Sequence, residues 1–126
     1  MTHPLIDRLT AEMGWPRLDS QDALKAFVAG PGAHALFVPG DPKRNLESAD
    51  VAVILPELKQ AFQGRFDCAV VTEAIETRLR EDTGVLKTPS LIFFKDGAFL
   101  AGIPKVRDWD DYMLRIAQIL ALPVAA

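Results

Sequence analysis

Two apolar runs joined by Asp96-Gly97 constrain this chain more than any other feature of it. The first, Leu91-Ile92-Phe93-Phe94, is a continuous run of β-prone side chains, which suits a strand buried on both faces. Lys95 alone separates it from Asp96-Gly97, and Asp-Gly between apolar runs marks a tight hairpin because both turn residues tolerate positive φ. Ala98, Phe99 and Leu100 give the returning strand. Pro89 stands just ahead of the first strand, where a missing N–H disturbs no ladder. Taken from the residues alone it is an ordinary trans proline, although a proline between a helix and a buried strand is also where a cis bond can be held.

The segments around this hairpin alternate between helix and strand signals. Leu5, Ile6, Leu9 and Met13 have helical spacing over residues 3–13, with Gly14 as a stop. Residues 15–18 suit a brief edge strand. Asp19 or Ser20 can cap a helix that runs to Ala29 and buries Ala23, Leu24, Phe27 and Val28. Gly30-Pro31-Gly32 breaks it, and residues 33–38 form a strand. Residues 39–45 are the most turn-rich stretch and predict a long exposed loop. Glu47 or Ser48 opens the next helix, expected over about 49–63, with Gly64 as its stop and Pro56 interrupting it. Residues 66–71 form a buried strand and 73–82 a short charged helix ending at Gly84. Asp108 caps a last helix whose Tyr112, Ile116, Ile119 and Leu120 face the core.

The second half of this pattern resembles thioredoxin. The shared features are Gly84-Val85, Thr88-Pro89, the apolar strand, Lys95-Asp96-Gly97, the return strand and the final helix, and the likeness extends over roughly residues 33–120. Pro56 stands where thioredoxins keep a helix-interior proline. The resemblance implies a thioredoxin-like three-layer α/β fold with a mixed sheet flanked by helices. It further implies one domain over 1–126 with an N-terminal helical extension of about 1–14. It also implies that Thr88–Pro89 is cis and faces the family's redox surface, where a bound peptide is contacted.

Composition limits the functions open to such a fold. A chain of 126 residues with 49% hydrophobic and 25% charged residues is an ordinary globular domain. A net charge of −3 and a pI of about 5.3 disfavour nucleic acid and anionic membrane as partners. No run approaches the roughly 20 apolar residues of a membrane span, and the N-terminus does not read as a signal peptide. A single cysteine excludes an intrachain disulfide and suits a reducing compartment, so a cytoplasmic location is expected.

Counted back from Pro56, the thioredoxin cysteine positions fall on Ser48 and Val51, with Ala49 and Asp50 between them. Exchange needs an attacking thiolate, which a serine hydroxyl cannot supply, and valine offers no resolving group. The buried acid of thioredoxins has no counterpart in Ala35-Leu36-Phe37-Val38. Cys68 lies in an alternating apolar strand, where a free cysteine behaves as a small hydrophobe. His3 and His34 lie too far from each other and from Cys68 for a metal cluster, so no metal and no cofactor are expected. Gly30-Pro31-Gly32 lacks the context and spacing of a phosphate loop.

Two classes of function remain: a non-enzymatic binding protein that holds a polypeptide in the former redox groove, or a thiol-dependent redox protein that uses Cys68. Within the first class the chain resembles the HupG/HyaE-type hydrogenase expression proteins. The residues that carry this resemblance are Ser48-Ala49-Asp50-Val51, the apolar helix that continues through Leu58, Thr88-Pro89-Ser90-Leu91 and Phe93-Phe94. The resemblance implies a cytoplasmic chaperone for nickel–iron uptake hydrogenase maturation. It would bind the small-subunit precursor with its twin-arginine signal peptide, without nucleic acid, membrane insertion or a cofactor of its own. Two arginines followed by an apolar segment suit carboxylates beside a groove. The expected partner-binding residues are Glu47, Ser48, Asp50, Thr88 and Pro89, with Ser48, Asp50 and Thr88 in one surface neighbourhood.

Overall fold

The computed structural model describes residues 3–124. The elements follow in the order α1 (Pro4–Ala11), β1 (Arg17–Leu18), α2 (Gln21–Ala29), β2 (Ala33–Val38) and α3 (Glu47–Ala61). Then come β3 (Phe66–Val71), α4 (Glu73–Thr83), β4 (Ser90–Lys95), β5 (Ala98–Pro104) and α5 (Trp109–Leu120). The strands make one mixed sheet in the order β1-β3-β2-β4-β5. β1 and β2 run parallel to β3, whereas β4 is antiparallel to both β2 and β5.

Side-chain alternation along the inner strands divides the core in two. Ala33, Ala35 and Phe37 of β2, Phe66, Cys68 and Val70 of β3, and Leu91 and Phe93 of β4 pack beneath α1, α3 and α5. Leu36 and Val38, Ala69 and Val71, and Ile92 and Phe94 point the other way, against α2 and α4. Covering both faces explains why Leu91 to Phe94 is apolar without a break. The result is the three-layer α/β arrangement the sequence predicts. The Asp96-Gly97 turn has φ of 52° and 78°, and the Gly97 N–H donates to the Val28 carbonyl at 3.0 Å, which ties the hairpin to α2.

Several local expectations change. α1 closes at Ala11, because the chain already unwinds through Met13 N–H to Arg8 O (3.1 Å) into Gly14 at φ 71°. Met1 and Thr2, part of the expected extension, lie outside the described residues. The loop after β2 is exposed only from Asp41, since Pro39 and Gly40 are buried. α3 begins at Glu47 and ends at Ala61, about two residues ahead of its expected span, and neither Glu47 nor Ser48 caps it. Its N-cap is Leu46, with no side-chain bond. Asp108 occupies the N-cap of α5 but makes no side-chain capping bond there. Ser20 does cap α2, its Oγ accepting from Ala23 N at 3.0 Å.

Candidate functional site

The start of α3, the end of β2 and the loop into β4 meet at one end of the inner strands. Thr88–Pro89 is cis, and Pro89 is buried. Gly40 stands against it with φ 71°, where an added Cβ would lie 2.5 Å from Thr88 Oγ1 and 2.8 Å from Asn45 Nδ2. Only glycine accepts both that conformation and that approach. From the far side, Arg80 of α4 donates through Nε to the Leu86 carbonyl at 2.7 Å, with Nη2 on the same oxygen, and through Nη1 to Glu76 Oε2 at 3.3 Å. The loop that carries Thr88 is therefore held from two directions.

Ser48 is not part of the surface. Its side chain is 0% exposed, and its hydroxyl donates to the Pro39 carbonyl at 2.6 Å. The expectation that Ser48 is a surface residue beside Asp50 and Thr88 is corrected: Ser48 is sealed in the core. The reason is helical phase. Val51, Ala52, Leu55 and Leu58 turn toward the sheet, and Ser48 falls on that same inward side of α3. Asp50 is on the opposite side and exposed, with no ion pair among the described residues.

Glu47 is half-buried and engaged. Its Oε2 accepts from Val106 N at 3.4 Å and its Oε1 lies 3.6 Å from Lys105 Nζ. The same ammonium donates to the Thr88 carbonyl at 3.2 Å, and the Lys105 N–H donates to the Pro89 carbonyl at 2.7 Å. The structure thus brings Glu47, Thr88 and Pro89 together through Lys105. No sequence signal marks Lys105, whose role depends on a contact 58 residues away in the chain. Leu46, at 80% exposure, and Leu86, at 56%, leave apolar surface on the two segments that carry Glu47 and Thr88.

No reactive thiol is found at this end of the sheet. Cys68 is buried on the α1/α3/α5 side of β3, and burial pushes its thiol up to about 12, Lys59 offsetting this only in part. His34 is also a core residue, with Nε2 2.9 Å from the Gly30 carbonyl and its ring 4.9 Å from that of Phe27. Among the described residues no group of three or more His, Cys, Asp or Glu side chains is placed to hold a metal ion. No described helix is long and apolar enough to cross a membrane. A small cleft of about 80 Å³ opens beside Gly40 near the ends of β1 and β3, lined in part by Asp7, Arg17 and Glu76. Burial raises the Glu76 carboxyl above its ordinary value, and Arg80 opposes that rise.

Comparison with known proteins places the fold in a family. The family model of the hydrogenase-1 expression protein HyaE matches residues 5–112. The hydrogenase expression/formation protein HupG of Rhodobacter capsulatus is 65% identical over 120 residues, which span 95% of this chain and 87% of that protein. The crystal structure of a hydrogenase expression/formation protein hupG from Rhodopseudomonas palustris superposes with a TM-score of 0.60 at 36% identity. That match covers 84% of this chain and 95% of the other. Mitochondrial thioredoxin 3 of Saccharomyces cerevisiae has a TM-score of 0.68 at 12% identity over 87% and 97% of the two chains, a likeness of fold alone.

Proposed function

This chain belongs to the HyaE family of hydrogenase expression proteins, and we propose that it acts there as a non-catalytic cytoplasmic chaperone of a nickel–iron uptake hydrogenase. Its client is the small-subunit precursor with its twin-arginine signal peptide. One observation carries the non-catalytic part of this reading. The two positions that match the thioredoxin cysteines hold Ser48 and Val51, both turned into the core at 0% and 1% exposure. What remains outside is a binding surface, with the exposed Leu46, the carboxylates of Glu47 and Asp50, and the part-exposed Thr88, whereas Pro89, expected to contact the partner, is buried beneath it. A polypeptide with two cationic side chains followed by an apolar stretch complements that combination.

The test is binding of the purified precursor, in its natural form and with both signal-peptide arginines replaced by glutamine, over a range of salt. Charge-assisted contacts weaken with ionic strength, so the natural precursor should bind more tightly and with the steeper salt dependence. Asp50→Lys should weaken it, because Asp50 is exposed and has no ion pair among the described residues, so its reversal breaks no described contact. Equal affinity for both precursors, with equal salt dependence, would remove the arginines and this surface from the account.

A further inference from the structure

Lys105 is held in a conformation that lysine does not favour. It follows β5 with φ 66°, in the left-handed region where a Cβ is penalised and glycine or asparagine is at ease. Its backbone is pinned on both sides. The N–H donates to the Pro89 carbonyl at 2.7 Å, and the carbonyl accepts from the hydroxyl of the buried Tyr112 at 3.4 Å. Glycine would serve this turn without strain. What lysine adds is an ammonium group placed 3.2 Å from the Thr88 carbonyl and 3.6 Å from Glu47 Oε1. Both side chains of that pair are about 40% exposed, 42% for Lys105 and 40% for Glu47, so solvent screens the pair and it is a poor return for the backbone cost. A strained residue held by its surroundings points to function more than to stability.

We infer that Glu47 and the Thr88 carbonyl form a cation subsite, filled by the chain's own Lys105 ammonium until a guanidinium of the bound polypeptide takes its place. The subsite is prepared for that exchange. Val106 N–H holds Glu47 Oε2, which leaves Oε1 as the oxygen that meets the cation. The Thr88 carbonyl is the second acceptor. A planar guanidinium spreads its N–H groups over two such oxygens, whereas an ammonium acts as a point charge. The lysine stem is flexible and half-exposed, so its ammonium withdraws into water while the pinned backbone stays in place. Lys105 is then a built-in competitor that raises the threshold for binding and leaves weakly basic segments unbound.

This inference rests on the polypeptide-binding reading above, and the experiment separates the two. A labelled peptide with adjacent arginines and an apolar tail, and its glutamine counterpart, are titrated into the wild type, Lys105→Met, Lys105→Gly, Glu47→Gln and the Glu47→Gln/Lys105→Met double variant. Removing the competitor should tighten the arginine peptide about two- to fivefold in both Lys105 variants, the range open to a half-exposed ion pair. The glutamine peptide should be unaffected, and Glu47→Gln should abolish the gain in the double variant. Lys105→Gly guards against a folding artefact because it keeps the left-handed turn without strain. Unchanged or weaker binding in both Lys105 variants overturns the exchange. If the arginine peptide binds none of the proteins, the polypeptide reading fails, and the subsite is judged by argininamide. Titrated into lysine-labelled protein, it should shift the Lys105 side-chain resonances in the wild type and not in Glu47→Gln. Absence of that shift overturns the subsite itself.

Discussion

Ser48→Ala removes one hydroxyl, the one that ties the first turn of α3 to the end of β2. The Ser48 hydroxyl lies 2.6 Å from the Pro39 carbonyl with its side chain 0% exposed, so alanine leaves that carbonyl without this donor where water does not reach. An unpaired buried acceptor costs about 1–3 kcal/mol, and the full burial of this one argues for a value near ~2 kcal/mol. The unfolding entropy of a chain of this length corresponds to about 0.26 kcal/mol per degree, which converts that loss into a melting temperature lower by about 8 °C. Urea denaturation followed by circular dichroism supplies the free energy directly. Its midpoint should fall while the slope stays the same, because the surface exposed on unfolding is unchanged. A Ser48→Ala protein within about 0.5 kcal/mol of the wild type would refute the reasoning. Such a result would mean that the serine is not the bonded, sealed group that distinguishes this α3 from one with a reactive first turn.

Four further outcomes follow from the same geometry. The double variant Ser48→Cys/Val51→Cys should not reduce insulin, because both side chains point into the core and burial raises a thiol's pKa; turnover at thioredoxin-like rates would contradict this. Cys68 should resist thiol reagents at neutral pH in the native protein and react with one equivalent after denaturation, so fast native modification would revive the redox alternative. Its folded pKa of about 12 lies above the ordinary 9.0, so stability it supports below pH 9 should fade as pH climbs toward 12, and Cys68→Ala should flatten that decline. Glu76 is likewise raised in the folded state, first by burial, so its contribution is present below about its ordinary 4.5 and lost as pH rises through the higher folded value. Glu76→Gln should flatten the stability curve just above pH 4.5, and an unchanged curve would show that burial does not govern this carboxyl.

The hairpin from β4 to β5, the three inner strands and the order of helices between them were legible in the sequence. Each depends on a few neighbouring residues: the unbroken Leu91 to Phe94 run, two positive-φ residues at Asp96-Gly97, a capping Ser20, a stopping Gly84. The absence of a cysteine pair at the thioredoxin positions was equally local, since it needed only the identities of Ser48 and Val51. Tertiary structure alone decided which way those residues face. The azimuth of α3 follows from Val51, Ala52, Leu55 and Leu58 seeking the sheet, and that rotation buries Ser48 while it leaves Asp50 in water. It also decided that Gly40 meets Thr88, and that Glu47 meets Lys105 and Val106 from the far end of the chain. Periodicity and turn chemistry act over a few residues and leave a pattern in the sequence. A single contact between distant segments leaves no such pattern, because it exists only once the packed layers have brought the two segments together.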